Sequence, residues 1–447
     1  MRNTICRRFD WSYLVLAPGV FLTYFVPIRF RFGAWIVAPF ILMWLLWVAL
    51  KSERTDISLR RAFLRFFVPL AVFVVCRVFL FGLNAWDGQP LQTQICTYGL
   101  FLIYTYIFYY SVAHRKYKEL FILNLLIMIS LSYGTFSYMN YEMGSYRNQV
   151  KGKYGESYEQ TINRLERAFD GATNYGDAYA MVYIVVAIVA NFMFFSRKWK
   201  VFSLVGLIVF VVGVYRASYS TGTVVMLYGS MLALVINLLK LNIKVKGRVL
   251  FVCATVFVVI NAFPTIVSFL GPVFGSLGDA FESISHEYSL RLHSMAEAVA
   301  GYKDTYAVQR ADLYWRSMNR WFEYPLFGFR PLQIAGLCDP NLTIGGHSYL
   351  FDSLACGGIF MGVFMVAAIL NFFKFIKLVY AKAGIDMRFQ TGWYCVFWMM
   401  AICGSINQVG QYNMLICAFF LVPSIPFFDY KHNIKVNEFY PLRFNYR

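Results

Sequence analysis

The sequence predicts an all-α, polytopic integral membrane protein with about twelve transmembrane helices and one large outer loop that contains short amphipathic helices. Three observations predict it. Of 447 residues, 59% are hydrophobic and only 14% are charged, where a soluble domain carries about a quarter charged. Phe occurs 45 times and the aromatics reach 19%, more than one water-soluble core hides. The basic residues, finally, recur in every second connection between apolar runs, which is the pattern of cytoplasmic loops. Disorder, collagen and a disulfide scaffold are excluded by the same composition.

A helix crossing the hydrocarbon core needs about 20 mostly apolar residues. Such runs fall at 11–28, 33–50, 67–84, 97–113, 119–139, 178–195, 200–216, 222–240, 249–270, 348–373, 391–409 and 411–428. The first is expected to be retained rather than cleaved as a signal peptide. It holds Pro18, lacks a small-residue cleavage site and is followed at once by a second span. Basic connections hold Arg2, Arg7 and Arg8; Lys51, Arg54, Arg60, Arg61 and Arg65; Arg115, Lys116 and Lys118; Arg197, Lys198 and Lys200; Lys240, Lys244, Lys246 and Arg248; Lys374, Lys377, Lys382 and Arg388; and the tail from Lys431. Both termini are therefore expected to be cytoplasmic. Arg29 and Arg31 are the clear exception. Most of the formal charge of +18 is topological on this reading, and nucleic acid is not an expected partner.

The chain divides accordingly. Residues 1–270 hold nine spans and a first outer loop at 140–177, residues 271–347 form the large outer loop, and residues 348–447 hold three spans and a cytoplasmic tail. Outer loops this long are usually functional or carry structure of their own. No internal repeat is visible, so an inverted-repeat transporter gains no support. The nine cysteines lie mostly in apolar runs without a C-x-x-C pair, as small core residues do. Cys96 and Cys338 are the two expected to face outward, where a bridge between them is open.

The large loop reads as two helices and a turn. Ser289 is expected to cap a short helix that ends near Gly301, and a second helix runs from about Val308 to Phe322. At about 100° per residue, Tyr314, Met318, Trp321 and Phe322 fall on one side and Arg310, Arg316 and Arg320 on another. Such a helix either lies in the membrane interface or packs on the bundle with its arginines in water. Arginine suits an anion at the membrane surface, because its planar fork gives paired hydrogen bonds to phosphate oxygens. Two further arginines stand near that level: Arg77 inside the third span, where an ionisable residue by default marks a functional site, and Arg216 at the end of the seventh.

His347 follows the Gly345-Gly346 pair at the mouth of the tenth span, and its near-neutral pKa suits proton transfer. Asp352 lies five residues on, which argues against a His–Asp pair on one helix face. The sequence contains no GxxxxGK[ST] loop, no HExxH and no D-x-D pair in an outer loop. An ATP-driven pump and a nucleotide-sugar transferase both lose support.

Arg310-Ala-Asp-Leu-Tyr-Trp315, Trp321-Phe-Glu-Tyr-Pro325-Leu-Phe-Gly328-Phe, Gly346-His347-Ser-Tyr-Leu350 and Gly357-Gly358-Ile-Phe-Met-Gly362 together resemble the O-antigen ligase and polymerase superfamily. The match is specific over roughly residues 310–362. Elsewhere it rests on about twelve spans, one large outer loop, and Ser220-Thr221-Gly222, which is similar to the family's Ser-Arg-Gly. Two positions depart from the pattern: Ser348 stands where the family usually has Asn, and Thr221 where it often has Arg.

The resemblance implies a metal-independent, inverting glycosyl transfer at the outer, periplasmic face of a bacterial inner membrane. The donor is a glycan on undecaprenyl pyrophosphate, and no cofactor is needed because the carrier already activates the sugar. In a polymerase the growing chain moves to a fresh lipid-linked repeat unit, with a chain-length regulator protein as a further partner. In a ligase it moves to lipid A core. On this reading Arg310 and Arg216 hold the pyrophosphate, Arg316, Arg320 and Arg77 are further candidates, and His347 orients or deprotonates the acceptor hydroxyl. Polymerase is the first expectation and ligase the second. A lipid-linked oligosaccharide flippase is the third, and it fits less well because its basic residues belong deep in a central cavity.

Overall fold

An apolar run in lipid must close its backbone hydrogen bonds within itself, so each becomes a helix. The computed structural model describes residues 9–25, 36–51, 55–78, 91–139, 175–216, 220–239, 243–262, 269–282, 286–301, 306–329, 344–345, 348–406 and 412–429. They are helical almost throughout, with no strand among them. The helices are α1 (Ser12–Tyr24), α2 (Ala38–Lys51), α3 (Ile57–Arg77), α4 (Leu91–Ala113), α5 (Tyr117–Met139), α6 (Tyr175–Asn191), α7 (Arg197–Arg216), α8 (Ser220–Leu238), α9 (Ile243–Ala262), α10 (Gly271–Glu282), α11 (His286–Val299), α12 (Tyr306–Glu323), α13 (Tyr349–Ala383) and α14 (Gln390–Ile406). The last, α15, begins at Tyr412–Ile416 and continues through a π turn at Cys417–Leu421.

Among the described residues three helices are long and apolar enough to cross a membrane, within Gly176–Phe194, Arg197–Tyr215 and Tyr349–Ala383, and five shorter helices are also apolar. Outward-facing apolar residues recur every three or four positions, as Val201, Val205 and Ile208 do on α7 and Leu227, Met231, Leu234 and Leu238 on α8. Water does not tolerate stripes of that extent; lipid does.

The central pillar is α6. Its residues from Gly176 to Ala187 are all buried, as befits a helix apolar on every side, and α7, α8, α14 and α15 pack around it. The most extensive pairing joins α3 to α13. There Phe66 meets Phe372 at 4.6 Å, Phe372 meets Phe419 at 4.7 Å and Trp393 at 4.8 Å, and Phe63 stacks on Tyr109 at 4.1 Å. The high aromatic content thus goes into inter-helix packing, where tilted and offset ring pairs add to simple burial.

Helices extend beyond the apolar runs that announced them. The third begins at Ile57 rather than near 67, because Asp56 caps it, accepting from the amides of Ser58 (2.8 Å) and Leu59 (3.3 Å). The tenth apolar run, expected to end near 373, continues to Ala383, its lysines 374, 377 and 382 exposed while Phe375, Ile376, Val379 and Tyr380 stay buried. It stops where Gly384 adopts a left-handed conformation (φ 71°). In the large loop α10 is an additional helix, so the described residues of the loop hold three helices where two were expected. Ser289 is not a cap: α11 starts at His286 and Ser289 is buried within it.

Several basic residues are tied to acids. Lys51 at the end of α2 and Lys116 before α5 both donate to Asp10 Oδ2 at 2.8 Å, and the Asp10 amide donates to Glu119 Oε1 at 2.9 Å. Lys382 at the end of α13 pairs with Asp56 at the start of α3. Burial opposes ionisation of Asp10, but the two ammonium groups outweigh it and hold the carboxyl well below the usual carboxylate range. An Asp so depressed contributes its stabilisation at neutral pH and loses it as pH falls below about 4, where the unfolded chain takes up a proton first. Asp10→Asn is expected to lower stability in detergent by about 3 kcal/mol at pH 7, since it leaves Lys116 buried beside a neutral group. It should also flatten the acid limb of the melting-temperature profile between pH 5 and pH 3. An unchanged acid limb would show that Asp10 does not carry this linkage.

Candidate functional site

The residues of the large loop and of the tenth span meet at a break in α13. A Gly-Gly pair inside a span has no side chains to hold the helical path, and Gly358 leaves it altogether (φ 58°, ψ −160°). The part from Ile359 to Ala383 still reaches about 37 Å at ~1.5 Å per residue, enough for a hydrocarbon core of ~30 Å. Residues 349–357 therefore form a separate half-helix.

The break frees backbone groups, and the turn after α12 satisfies them. The amides of Ile359 and Phe360 donate to the carbonyls of Pro325 (2.8 Å) and Leu326 (3.1 Å), while the freed Ala355 carbonyl accepts from the Phe329 amide at 2.7 Å. The turn itself closes through the Gly328 amide on the Tyr324 carbonyl at 3.0 Å, with Gly328 at φ 76°. Side chains do not fit at the joint. A Cβ on Gly358 would stand 2.4 Å from the Leu326 oxygen, and one on Gly328 would stand 2.2 Å from the Cys356 carbonyl carbon. Pro325-Leu-Phe-Gly328 and Gly357-Gly358 are thus two halves of one backbone joint.

Above the joint, α12 packs on the half-helix. Its buried face is Ala311, Tyr314 and Ser317, with Met318 and Trp321 partly covered, and Tyr314 lies 6.0 Å from Phe351. This helix packs on the bundle rather than presenting its aromatic face to lipid, and Phe322, expected on that face, is exposed. Ser317 is fully buried, and its hydroxyl donates to Asp352 Oδ1 while accepting from the Gly345 amide at 2.9 Å. The other oxygen of Asp352 accepts from the Ser348 amide at 3.1 Å. Ser348 caps the half-helix, its hydroxyl accepting from the Phe351 amide and donating to the Gly404 carbonyl of α14, both at 3.1 Å.

The opposite side of the half-helix is held by Arg77. Its guanidinium donates to the Tyr98 hydroxyl at 2.5 Å and the Ser353 hydroxyl at 2.6 Å, and it lies 4.0 Å over the Tyr349 ring. Arg77 is only 6% exposed, so it binds α3, α4 and α13 together rather than presenting a free fork.

The remaining candidates fall in different places. Arg316 is exposed on α12, and Arg320 pairs with Glu323 at 2.6 Å and covers the Phe329 ring at 5.0 Å. Position 310 does not share their face: seven residues before Ser317, it falls within about 20° of it at ~100° per residue, on the stripe that meets the half-helix. The side chain of Arg310 lies outside the described residues, as does that of Arg216, where α7 ends. The main partners of α7 are α5 and α6 rather than α12 or α13, so helix packing does not bring Arg216 to this joint. His347 lies outside the described residues, between the anchored Gly345 and Ser348. So does Cys338, one of the two cysteines expected to face outward.

Ser317 was missed in the sequence because a small polar residue on an amphipathic helix attracts no notice. Asp352 carried a signal, an acid within an apolar span, but its partner came from a distant helix. Comparison of the chain with protein-family models and with curated proteins finds no match.

Gly358→Ala and Gly328→Ala are each expected to cost about 3 kcal/mol or more, from the positive φ and the lost backbone pairing. Gly275→Ala in α10, where a Cβ meets nothing within 4 Å, serves as the neutral control. Thermal unfolding in detergent checks the comparison, and equal melting temperatures for all three variants would disprove the joint.

Proposed function

We propose that the chain is a twelve-span enzyme of a bacterial inner membrane, with both termini cytoplasmic and the α10–α12 loop on the outer face. It polymerises undecaprenyl-pyrophosphate-linked oligosaccharide repeat units into a surface polysaccharide. The observation that carries this reading is the Ser317–Asp352 contact. It fastens α12, the helix on which position 310 lies, to the half-helix that follows His347 in the sequence, which supports a common site for the residue types that transfer from a pyrophosphate needs. The resemblance over residues 310–362 supports the same conclusion, and the backbone joint gives a physical reason for its Pro-Leu-x-Gly and Gly-Gly elements.

In the proposed reaction the acceptor hydroxyl oxygen attacks the anomeric carbon of the donor glycan, opposite the pyrophosphate. The new C–O bond forms as the carbon–pyrophosphate bond breaks, with inversion, and the lipid pyrophosphate departs with the bonding electrons. His347 receives the hydroxyl proton. Arg310 neutralises the charge that develops on the leaving group, with Arg316 and Arg320 of the same helix as further electrostatic support. Arg77 is withdrawn from that set, because its guanidinium already serves Tyr98 and Ser353.

Purified full-length protein, supplied only with undecaprenyl-pyrophosphate repeat units in chelator and without ATP, is expected to yield a ladder of longer lipid-linked glycans. A ladder that required lipid A core would make the chain a ligase, and altered sidedness without altered length would make it a flippase. His347→Ala should slow the ladder by roughly 10²–10⁴-fold, the usual scale of general acid–base catalysis.

Arg310→Ala should abolish chain growth while the protein still accumulates, and Arg310→Lys should restore it only in part, because a point charge lacks the bidentate fork. Cysteine labelling should reach position 310 from the periplasmic side. Labelling from the cytoplasm alone would reverse the orientation and end the mechanism.

A further inference from the structure

The contacts of Asp352 go beyond fastening two helices. One oxygen takes the Ser348 amide directly (3.1 Å), and the other takes the Ser317 hydroxyl, which in turn holds the Gly345 amide (2.9 Å). A single carboxylate thereby fixes both ends of a four-residue stretch whose inner members are Gly346 and His347. The acid is 1% exposed and Ser317 is fully buried, so water does not compete for these bonds. Gly345 is pressed against α12, where a Cβ would lie 1.9 Å from the Leu313 oxygen. A glycine-rich segment left unanchored has the largest backbone freedom to lose. This one is anchored at each end.

We propose that Asp352 is a positioning residue. Through Ser317 and the Ser348 amide it holds Gly345 and Ser348, the residues that flank Gly346 and His347 in the sequence, and so sets the rate at which the acceptor proton is removed rather than the affinity for substrate. This rests on the glycosyl-transfer reading above. Each oxygen of the acid accepts one hydrogen bond, from Ser317 and from Ser348. A misplacement of about 1 Å in a catalytic group is enough to cost on the order of 10²-fold in rate.

The test combines steady-state kinetics of ladder formation with hydrogen exchange of the full-length protein in detergent. Asp352→Asn is isosteric but offers one accepting oxygen in place of two. It is expected to lower kcat at least tenfold, to leave KM within about twofold, and to raise exchange at both Gly345 and Ser348. Ser317→Ala should reproduce the kinetic loss in part and release Gly345 alone. In the double variant the losses should not add, because both substitutions cut one relay. Asp352→Glu, which keeps the charge and two acceptors, should recover part of kcat. Should Asp352→Asn fail to accumulate, Ser317→Ala carries the same comparison with the acid retained.

Loss of amide protection with an unchanged kcat would overturn the proposal, as would a rise in KM matching the fall in kcat or unchanged protection at the two amides. A wild-type protein that makes no ladder would defeat the glycosyl-transfer reading, and the positioning role with it. Exchange at Gly345 and Ser348 would still show whether Asp352 holds the segment, so the two failures are told apart.

Discussion

A helix interrupted inside an apolar bundle leaves amide and carbonyl groups that lipid tails cannot satisfy, and each such group costs on the order of several kcal/mol. The rest of the candidate site depends on how this chain meets that constraint. The turn at Pro325–Gly328 supplies two carbonyls and one amide to the break at Gly358, so α13 is broken without an orphaned group at those positions. The exchange fixes more than local geometry. It fastens the end of α12 to one level of α13, and the register of every contact above it, including Tyr314 on Phe351 and Ser317 on Asp352, follows from that one attachment.

The half-helix between Tyr349 and Gly357 is then held from two sides by buried polar groups of opposite charge. Asp352 faces α12, and its sequence neighbour Ser353 faces Arg77 and, through it, α3 and α4. At 100° per residue, adjacent helical positions point to different neighbours, so two consecutive residues suffice to engage both sides. At the far end of the same helices, Asp56 and Lys382 tie the start of α3 to the end of α13. The α3–α13 pair is therefore pinned at both ends and filled between with aromatic rings.

What the sequence revealed follows from which forces act locally. Apolar runs announced helices because hydrophobic continuity and backbone satisfaction are properties of a single segment; a run at 178–195 became α6, and the expected helix from Val308 to Phe322 appears as Tyr306–Glu323. Polar extensions were hidden, since Arg60, Arg61 and Arg65 look like loop charge until the Asp56 cap shows that the helix has already begun. The break at Gly358 was hidden for a different reason. Gly-rich stretches in spans also serve close helix packing, and only the carbonyls of Pro325 and Leu326, more than thirty residues away, tell the two uses apart. Arg77 shows what the sequence hid at an intramembrane arginine: its Nε and one Nη donate to Tyr98 and Ser353, and it lies over the Tyr349 ring.

Ser348 brings these strands together, because it stands where the resembling proteins usually carry Asn. At an N-cap the requirement is a short side chain whose oxygen reaches back to an amide of the first turn, and Ser and Asn meet it about equally. Here the Ser348 hydroxyl accepts from the Phe351 amide, and its own backbone amide goes to Asp352. The cap and the clamp thus use different atoms of one residue. The hydroxyl keeps one further capacity: its proton goes to the Gly404 carbonyl, which ties the start of the half-helix to α14, and the amide group of Asn can donate to such a carbonyl as well. The substitution is therefore conservative in the terms that matter at this position, an acceptor for the first turn and a donor for the neighbouring helix.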